Sequence, residues 1–551
     1  MNTLRSVTIL AGLAACGGAQ PPTTTTGGGA GSAGAPAAAG DVSIEVPVIE
    51  VKGLVFEPEA LGRPGMPLVE AKKKTTIEKQ RAVFASTKEP VQKQAHAAIL
   101  ATMLYQKSKD DKAKEKALWT EARQALRDAT AAAGASVEEI TLRLLGSYEL
   151  LLEDYAGAEK AWSAVVATVI ADDAAKVSKK GAKKAEPSKD LPYYRAWWAY
   201  ALLRQFKNGE ALEIVKNEVL SDKQPELAYA AAWAKWRTND DAGAWTAMVT
   251  AVKGGAELGA KEALERDLFL FAGRTNVSLA EARGPMEQLF NAKQKAQQYE
   301  VLAKLGFQAY QYAGRWADGV AALDLAVSLA GDTVPVNDLP VLRYSQADFT
   351  VRLDNPEAAA KYAKQAIDAM PGCGTKCTEQ EKQDLIYGVY GMGRLFHVLY
   401  ATANDVRYYQ PAHDLYLASV EKTMDAERRA QTQKDMAILE ATLKNTKVGT
   451  GTHDQGAVAA ILGRHNQEVQ ACYEAVLSGS PKLAGALTLM LESDQSGEIK
   501  GATTSPAPGL TELAAVAGCV TERAQTWKLP KRGMAGSTRV KLSYVLSARA
   551  K

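Results

Sequence analysis

Residues 76–446 are dominated by Ala, Leu, Glu, Lys and Gln, with apolar side chains recurring at three- and four-residue spacing. That period places one apolar stripe on each helix and commits the stretch to amphipathic helix after helix. A helix of this kind cannot bury its stripe alone, so neighbours must stack on one another to make a core. With 551 residues the chain is too long for one core, and two or more domains are expected.

The helices pair at a repeat-like period. Leu142-Arg143-Leu144-Leu145-Gly146 is followed by Glu153-Asp154-Tyr155-Ala156-Gly157-Ala158, then Trp162 and Val165. Small Gly146 and Ala158 let two antiparallel helices approach, and Trp162 fills the gap behind them. Gly314-Arg315-Trp316-Ala317-Asp318-Gly319 fits the same template, with Phe307 and Tyr310 before it and Leu323 and Ala326 after. So do Ala347, residues 354–359, Ala363, Ala366 and Pro371, and more weakly Ala199, Leu202, Ala211 and Val215. The pattern resembles the tetratricopeptide repeat, and Pro371 falls where that family's repeat-ending proline sits. Glu149 and Thr350 stand where the family usually has Tyr, and the spacing between copies is irregular. The resemblance implies a solenoid of helical hairpins whose groove grips protein partners. The tryptophans at 197, 198, 233, 236, 245 and 316 read mostly as helix-core residues. Between Ala171 and Pro192, Lys176, Lys179, Lys180, Lys183, Lys184 and Lys189 among Ala and Ser read as a solvated loop inserted between helices.

Beyond a linker at 447–455 the periodicity changes. Residues 457–477 read as one helix. Leu483, Leu487, Leu489 and Leu491 alternate as in a half-buried strand, and the Asp494-Gln-Ser-Gly497 turn leads into a second strand at 498–504. A helix over 510–526 and a last strand with Val540, Leu542, Tyr544 and Leu546 complete an α-β-β-α-β order. Cys472-Tyr473-Glu474, Leu483-Ala484-Gly485, Ser496-Gly497, Cys519-Val520 and Trp527-Lys528-Leu529-Pro530 carry a resemblance to the C-terminal domain of the AgmX/PglI family of gliding-motility proteins. That domain is itself similar to the TonB C-terminal domain. Leu529 departs from the family's usual Phe. The resemblance implies an α+β module over 456–551 that binds partners by adding an incoming strand to a sheet edge. The last strand is the expected edge, with Arg539, Val540, Lys541, Leu542, Ser543 and Tyr544 as partner-binding residues; the alternative is a central, fully paired strand.

At the other end, Arg5, an apolar stretch over 7–15 and Leu13-Ala14-Ala15-Cys16 have the parts of a secretory signal. An apolar run this short cannot span a bilayer, which needs ~20 residues. The four-residue motif resembles a bacterial lipobox, which implies a signal peptide over 1–15 and lipidation at Cys16. Residues 17–40 are almost entirely Gly, Ala, Thr, Ser and Pro, too poor in apolar surface to fold, so 16–41 is expected to be a flexible tether. The same resemblance implies the outer membrane, since Gly17 stands in place of the Asp that commonly marks inner-membrane retention. Residues 42–75 hold several X-Pro steps and the run Val46-Pro47-Val48-Ile49-Glu50-Val51. They read as extended or irregular chain, either an edge strand or a segment laid on the body.

Besides Cys16 the chain has Cys373, Cys377, Cys472 and Cys519. An even remainder in an exported chain points to two disulfides. Three pairings are possible, and spacing favours neighbour with neighbour. The five histidines are scattered, so no metal site is expected. The net charge of +3 gives no support for nucleic acid as a partner. Gly391-Met-Gly393 lies in a helical stretch without a preceding strand, and the glycines at 449–456 lack the Lys-Ser/Thr of a phosphate loop. No catalytic constellation, cofactor or small-molecule substrate is implied. The expectation is a mainly α, tetratricopeptide-like solenoid with a small TonB-like module, anchored in the outer membrane through Cys16 and binding envelope proteins through its groove and C-terminal domain. A scaffold for envelope assembly or transport, or a structural protein binding peptidoglycan or polysaccharide, are the alternatives.

Overall fold

The computed structural model describes residues 41–71, 75–180, 188–255, 261–403, 405–444, 455–529 and 535–549. The signal peptide, Cys16, nearly all of the tether and of the 447–455 linker, Lys183, Lys184 and Pro530 lie outside the described residues. The chain divides into two units. The first is Phe56–Phe271 with Thr275–Val277, and the second is Met1–Val55, Ala272–Arg274 and Ser278–Lys551.

The first unit is built of helices α1 (Ile77–Ser86), α2 (Pro90–Asp110), α3 (Glu115–Ala133), α4 (Glu139–Leu151), α5 (Tyr155–Lys180), α6 (Leu191–Leu203), α7 (Asn208–Val215), α8 (Pro225–Trp236), α9 (Asp241–Lys253) and most of α10 (Lys261–Arg274). Capping chemistry sets many of the boundaries. Glu89 accepts from the amides of Val91 and Gln92 at the start of α2, Asp240 accepts from Gly243 at the start of α9, and Gly134, at φ +56°, ends α3. Sequence neighbours pack on one another, α2 on α3, α4 on α5, α5 on α6 and α8 on α9, and α6 also packs on α8.

Where α4 crosses α5, a Cβ on Gly146 would lie 2.8 Å from the indole nitrogen of Trp162, which is itself buried with Ala158. Gly146→Val should therefore cost about 1–3 kcal/mol by overpacking, read as a lowered urea midpoint with unchanged slope. Glu149, the departure from the repeat pattern, is buried and accepts from Arg127 Nε at 2.7 Å, while Arg127 also reaches Asp154 at 2.8 Å. Burial raises the Glu149 carboxyl and Arg127 opposes the rise. Gly157 leaves room for this carboxylate, since a Cβ there would meet it at 2.8 Å. Of the six tryptophans, all but half-buried Trp198 are in the core. The lysine-rich stretch departs from expectation: α5 runs on through Lys176, Lys179 and Lys180.

The second unit continues with α11 (Leu279–Leu289), α12 (Lys295–Lys304), α13 (Trp316–Ala330), α14 (Leu339–Arg352), α15 (Pro356–Cys373), α16 (Glu379–Ala403), α17 (Tyr409–Lys422) and α18 (Ala426–Lys444). Pro371 does not end its helix. α15 runs on to Cys373, and it is Gly374, at φ +51°, whose amide closes the end on the Pro371 carbonyl. The second departure from the repeat pattern, Thr350, is buried and donates to the Gln346 carbonyl at 2.8 Å. Cys373 and Cys377 are disulfide-bonded, with Cα atoms 5.6 Å apart.

The C-terminal module follows, with α19 (Gln455–Gly463) and α20 (Asn466–Leu477) in place of the single expected helix. The break at Arg464 frees its carbonyl for Arg352 and aims its guanidinium at Asp348, 3.3 Å away. Strands β1 (Val42–Glu45), β2 (Ile49–Gly53), β3 (Gly485–Ser493), β4 (Ile499–Pro506) and β5 (Thr538–Ala548) form one sheet, and α21 (Ala514–Ala524) lies between β4 and β5 in sequence. The order is β1-β5-β3-β4, with β2 also paired to β5. The expectation of a strand-accepting edge at Arg539, Val540, Lys541, Leu542, Ser543 and Tyr544 is corrected. On one side β5 pairs antiparallel with β3, Leu489 opposite Leu542. On the other it pairs in parallel with β1, Ile44 opposite Val540, and with β2, Ile49 opposite Tyr544. Val540, Leu542 and Tyr544 point into the module's core beside Ile44, Val46 and Val51. The chain's own early strands hold the position expected of an incoming one.

Cys472 on α20 and Cys519 on α21 are disulfide-bonded, with Cα atoms 5.7 Å apart. Trp527 is buried, stacks on His465 at 4.5 Å and donates its indole N–H to Glu468 at 2.9 Å. Trp316 donates to the other oxygen of the same carboxylate at 3.0 Å.

Candidate functional site

Residues 56–69 form neither helix nor strand, yet they are held by five helices of the first unit. The seat is made largely by side chains that address the backbone. The Arg237 guanidinium on the end of α8 donates to the Phe56 carbonyl at 2.7 Å and to the Leu203 carbonyl at 2.7 Å. The Tyr229 hydroxyl on α8 accepts from the amides of Glu59 and Ala60, both at 3.0 Å, and donates to Asp267 on α10 at 2.5 Å. Tyr193 on α6 accepts from the Gly65 amide at 2.8 Å, and Thr102 on α2 accepts from the Val69 amide at 3.0 Å.

Charge adds direction. Arg204 pairs with Glu57 at 3.2 Å, and Arg266 pairs with Glu59 at 3.1 Å. Further along, Arg63 lies over Trp119 of α3 at 4.9 Å and pairs with Glu115 at 3.6 Å. Pro58, Ala60, Leu61 and Pro64 are buried; the two prolines bring no N–H that would need a partner. A turn over Glu59–Gly62, with Gly62 at φ +66°, presents Ala60 and Leu61 to the helices.

The seat is electrostatically tense. Burial lowers Arg237 to about 10, against the attraction of Glu57. Burial raises Asp267 to about 6, opposed by the Tyr229 hydroxyl and by Arg266. The folded protein thus holds this proton more tightly than the unfolded chain, whose Asp titrates near ~3.9. Asp267 therefore weakens the fold above about pH 6, and the penalty is relieved as pH falls from 6 towards 4. Asp267→Asn should remove that dependence. The stability difference between wild type and variant, from urea titrations, should shift by roughly 2 kcal/mol between pH 7 and pH 4, at ~1.4 kcal/mol per pKa unit.

The second unit carries a separate open cleft lined by Tyr299, Phe307, Phe349, Met370 and Cys377 among others. Among the described residues no group of three His, Cys, Asp or Glu is placed to hold a metal, and no helix is long and apolar enough to cross a membrane.

Of the residues singled out from sequence, the four body cysteines come together in pairs and the β5 residues lie in a sheet interior. The groove residues were missed. Their one visible signal is the pair Arg204 and Arg237, which follow the apolar stripes of α6 and α8 at equivalent positions.

No family model and no curated protein matches the sequence. Among solved structures the chain is similar to a signal transduction ATPase with numerous domains (STAND) protein with a tetratricopeptide repeat sensor from Pyrococcus horikoshii. Identity is 12%, the TM-score is 0.20, and the match covers 61% of this chain and 54% of that one, so this chain spans about half of that protein's length. At this identity and score the likeness bears on neither activity nor partners. By its own architecture the protein is mainly α, built of stacked helical hairpins, with a small α+β module.

Proposed function

We propose that this protein is a non-enzymatic, membrane-anchored periplasmic scaffold that binds protein partners within a trans-envelope complex, of the gliding-motility type to which its C-terminal sequence is similar. One observation supports the reading: the first helical unit holds an irregular, turn-containing stretch of chain through backbone hydrogen bonds and paired arginines, which is the equipment of a peptide reader. The anchor rests on Leu13-Ala14-Ala15-Cys16 and on the unchanging small-residue composition of 17–40. Crosslinking in intact envelopes followed by mass spectrometry tests the scaffold role. Recovery of motility or energy-transducer subunits supports it, and recovery of murein fragments alone overturns it. Cys16→Ser tests the anchor: the variant should move from the membrane fraction to the soluble periplasm after a high-salt wash, and retention in washed membranes refutes lipidation at this residue.

A further inference from the structure

We infer that residues 56–65 are a built-in occupant of a peptide groove in the first helical unit, and that the groove takes from a partner an acidic, proline-containing segment that makes the same turn, Glu-Pro-Glu-Ala-Leu in this chain. The inference rests on the scaffold reading above and names the ligand of its first unit.

Three features of the seat support it. The recognition is of backbone and charge: Arg237 and Tyr229 meet a carbonyl and two successive amides, and Arg204 and Arg266 meet Glu57 and Glu59. Any segment that presents those groups in that order satisfies the same partners, whichever chain it belongs to. The anchors are small and specific in shape, with Ala60 at 0% and Leu61 at 2% exposure, and a bulkier or charged residue there would not enter. Finally, the occupant is exchangeable in principle without breaking a helix or a strand. β2 ends at Gly53, α1 begins at Ile77, and nothing between 56 and 65 belongs to either.

Occupation in cis lowers apparent affinity for a competitor by the fraction of time the groove is open. The wild-type groove should therefore bind such a segment weakly, and a chain whose own segment is unseated should bind it strongly.

The test uses the full chain carrying Cys16→Ser and a fluorescein-labelled synthetic peptide of residues 55–66, titrated by anisotropy. Ala60→Asp with Leu61→Asp in the protein unseats the built-in segment. This variant should bind the peptide at least about tenfold more tightly than its parent, and a peptide with Lys in place of both glutamates should lose most of that gain. Should the double variant lose its helical circular dichroism, Glu57→Lys with Glu59→Lys in the protein unseats the segment by charge and leaves the apolar anchors in place. A folded variant that binds no better than the parent overturns the inference. Hydrogen exchange gives an independent reading: saturating peptide should speed exchange at the Glu59, Ala60 and Gly65 amides of the parent protein, and unchanged protection counts against displacement. If crosslinking still recovers envelope partners while the peptide fails to bind, this inference falls and the scaffold reading stands. If both fail, the scaffold reading falls with it.

Discussion

Tyr229→Phe should destabilise the first helical unit by about 3–5 kcal/mol, the largest effect expected of any single-atom change in the groove. The ring stays, so packing against Trp233 is kept. What goes is one oxygen that accepts from two backbone amides and donates to a buried carboxylate. Each amide of a buried turn left without a partner costs about 1–3 kcal/mol. Asp267, already pushed up by burial, loses one of the groups that hold it charged. Urea denaturation followed by tryptophan fluorescence reads the loss. A second substitution, Asp267→Asn, should cost less in the Tyr229→Phe background than alone, because the hydroxyl that couples them is gone. A loss below about 1 kcal/mol would show that water replaces the hydroxyl and that the seat is wetter than its geometry implies.

Arg274→Met should cost about 3–5 kcal/mol in the second unit, through an uncompensated buried charge. Arg274 and Glu474 form an ion pair whose side chains are 7% and 1% exposed. Glu474 also accepts from the Leu54 amide at 2.9 Å, just past β2, and from Gln470 at 2.7 Å. Without the guanidinium the carboxylate must stay charged in a poorly hydrated site or take up a proton. The double variant Arg274→Met with Glu474→Gln should recover much of the loss, since replacing both partners removes the stranded charge while the Gln carbonyl still accepts from Leu54. Calorimetry of the two variants measures it. Equal losses in the single and double variants would show that the pair acts by shape and not by charge.

The local parts of this fold were legible. Period 3.6 gave the helices, and Gly146 with Trp162 marked a close crossing that the structure places between α4 and α5. Period 2 in Leu487, Leu489 and Leu491 and in Val540, Leu542 and Tyr544 marked inward faces, and both sets are buried. Alternation names a face but not a neighbour. The strands on one side of β5 sit near residue 45, and nothing local to Arg539 or Tyr544 reports them. Read as extended chain, residues 42–75 turned out to supply two strands and the segment laid on helices. Helix ends were the weakest reading. Pro371 is tolerated in the last turn of α15, and the break before α20 depends on Arg352 taking the Arg464 carbonyl. The groove was hidden for a related reason. Arg204 and Arg237 look like solvated helix ends, and Arg266 like a residue on an exposed helix face, until the chain between β2 and α1 is laid across them.

The parallel pairing of β1 with β5 also sets a timetable for synthesis. Asp41 and Ser537, which bond to one another at the sheet's end, are 496 residues apart. Every residue between them must reach the compartment in which the chain folds before the sheet can close. Until then Ile44, Val46 and Val51 have no apolar face to enter, while the helical hairpins behind them, built from near neighbours, can already form. A chain cut short anywhere before Thr538 would display an unpaired, partly apolar strand close to its N-terminus. Closure of this sheet is thus a check passed only by chains that carry β5.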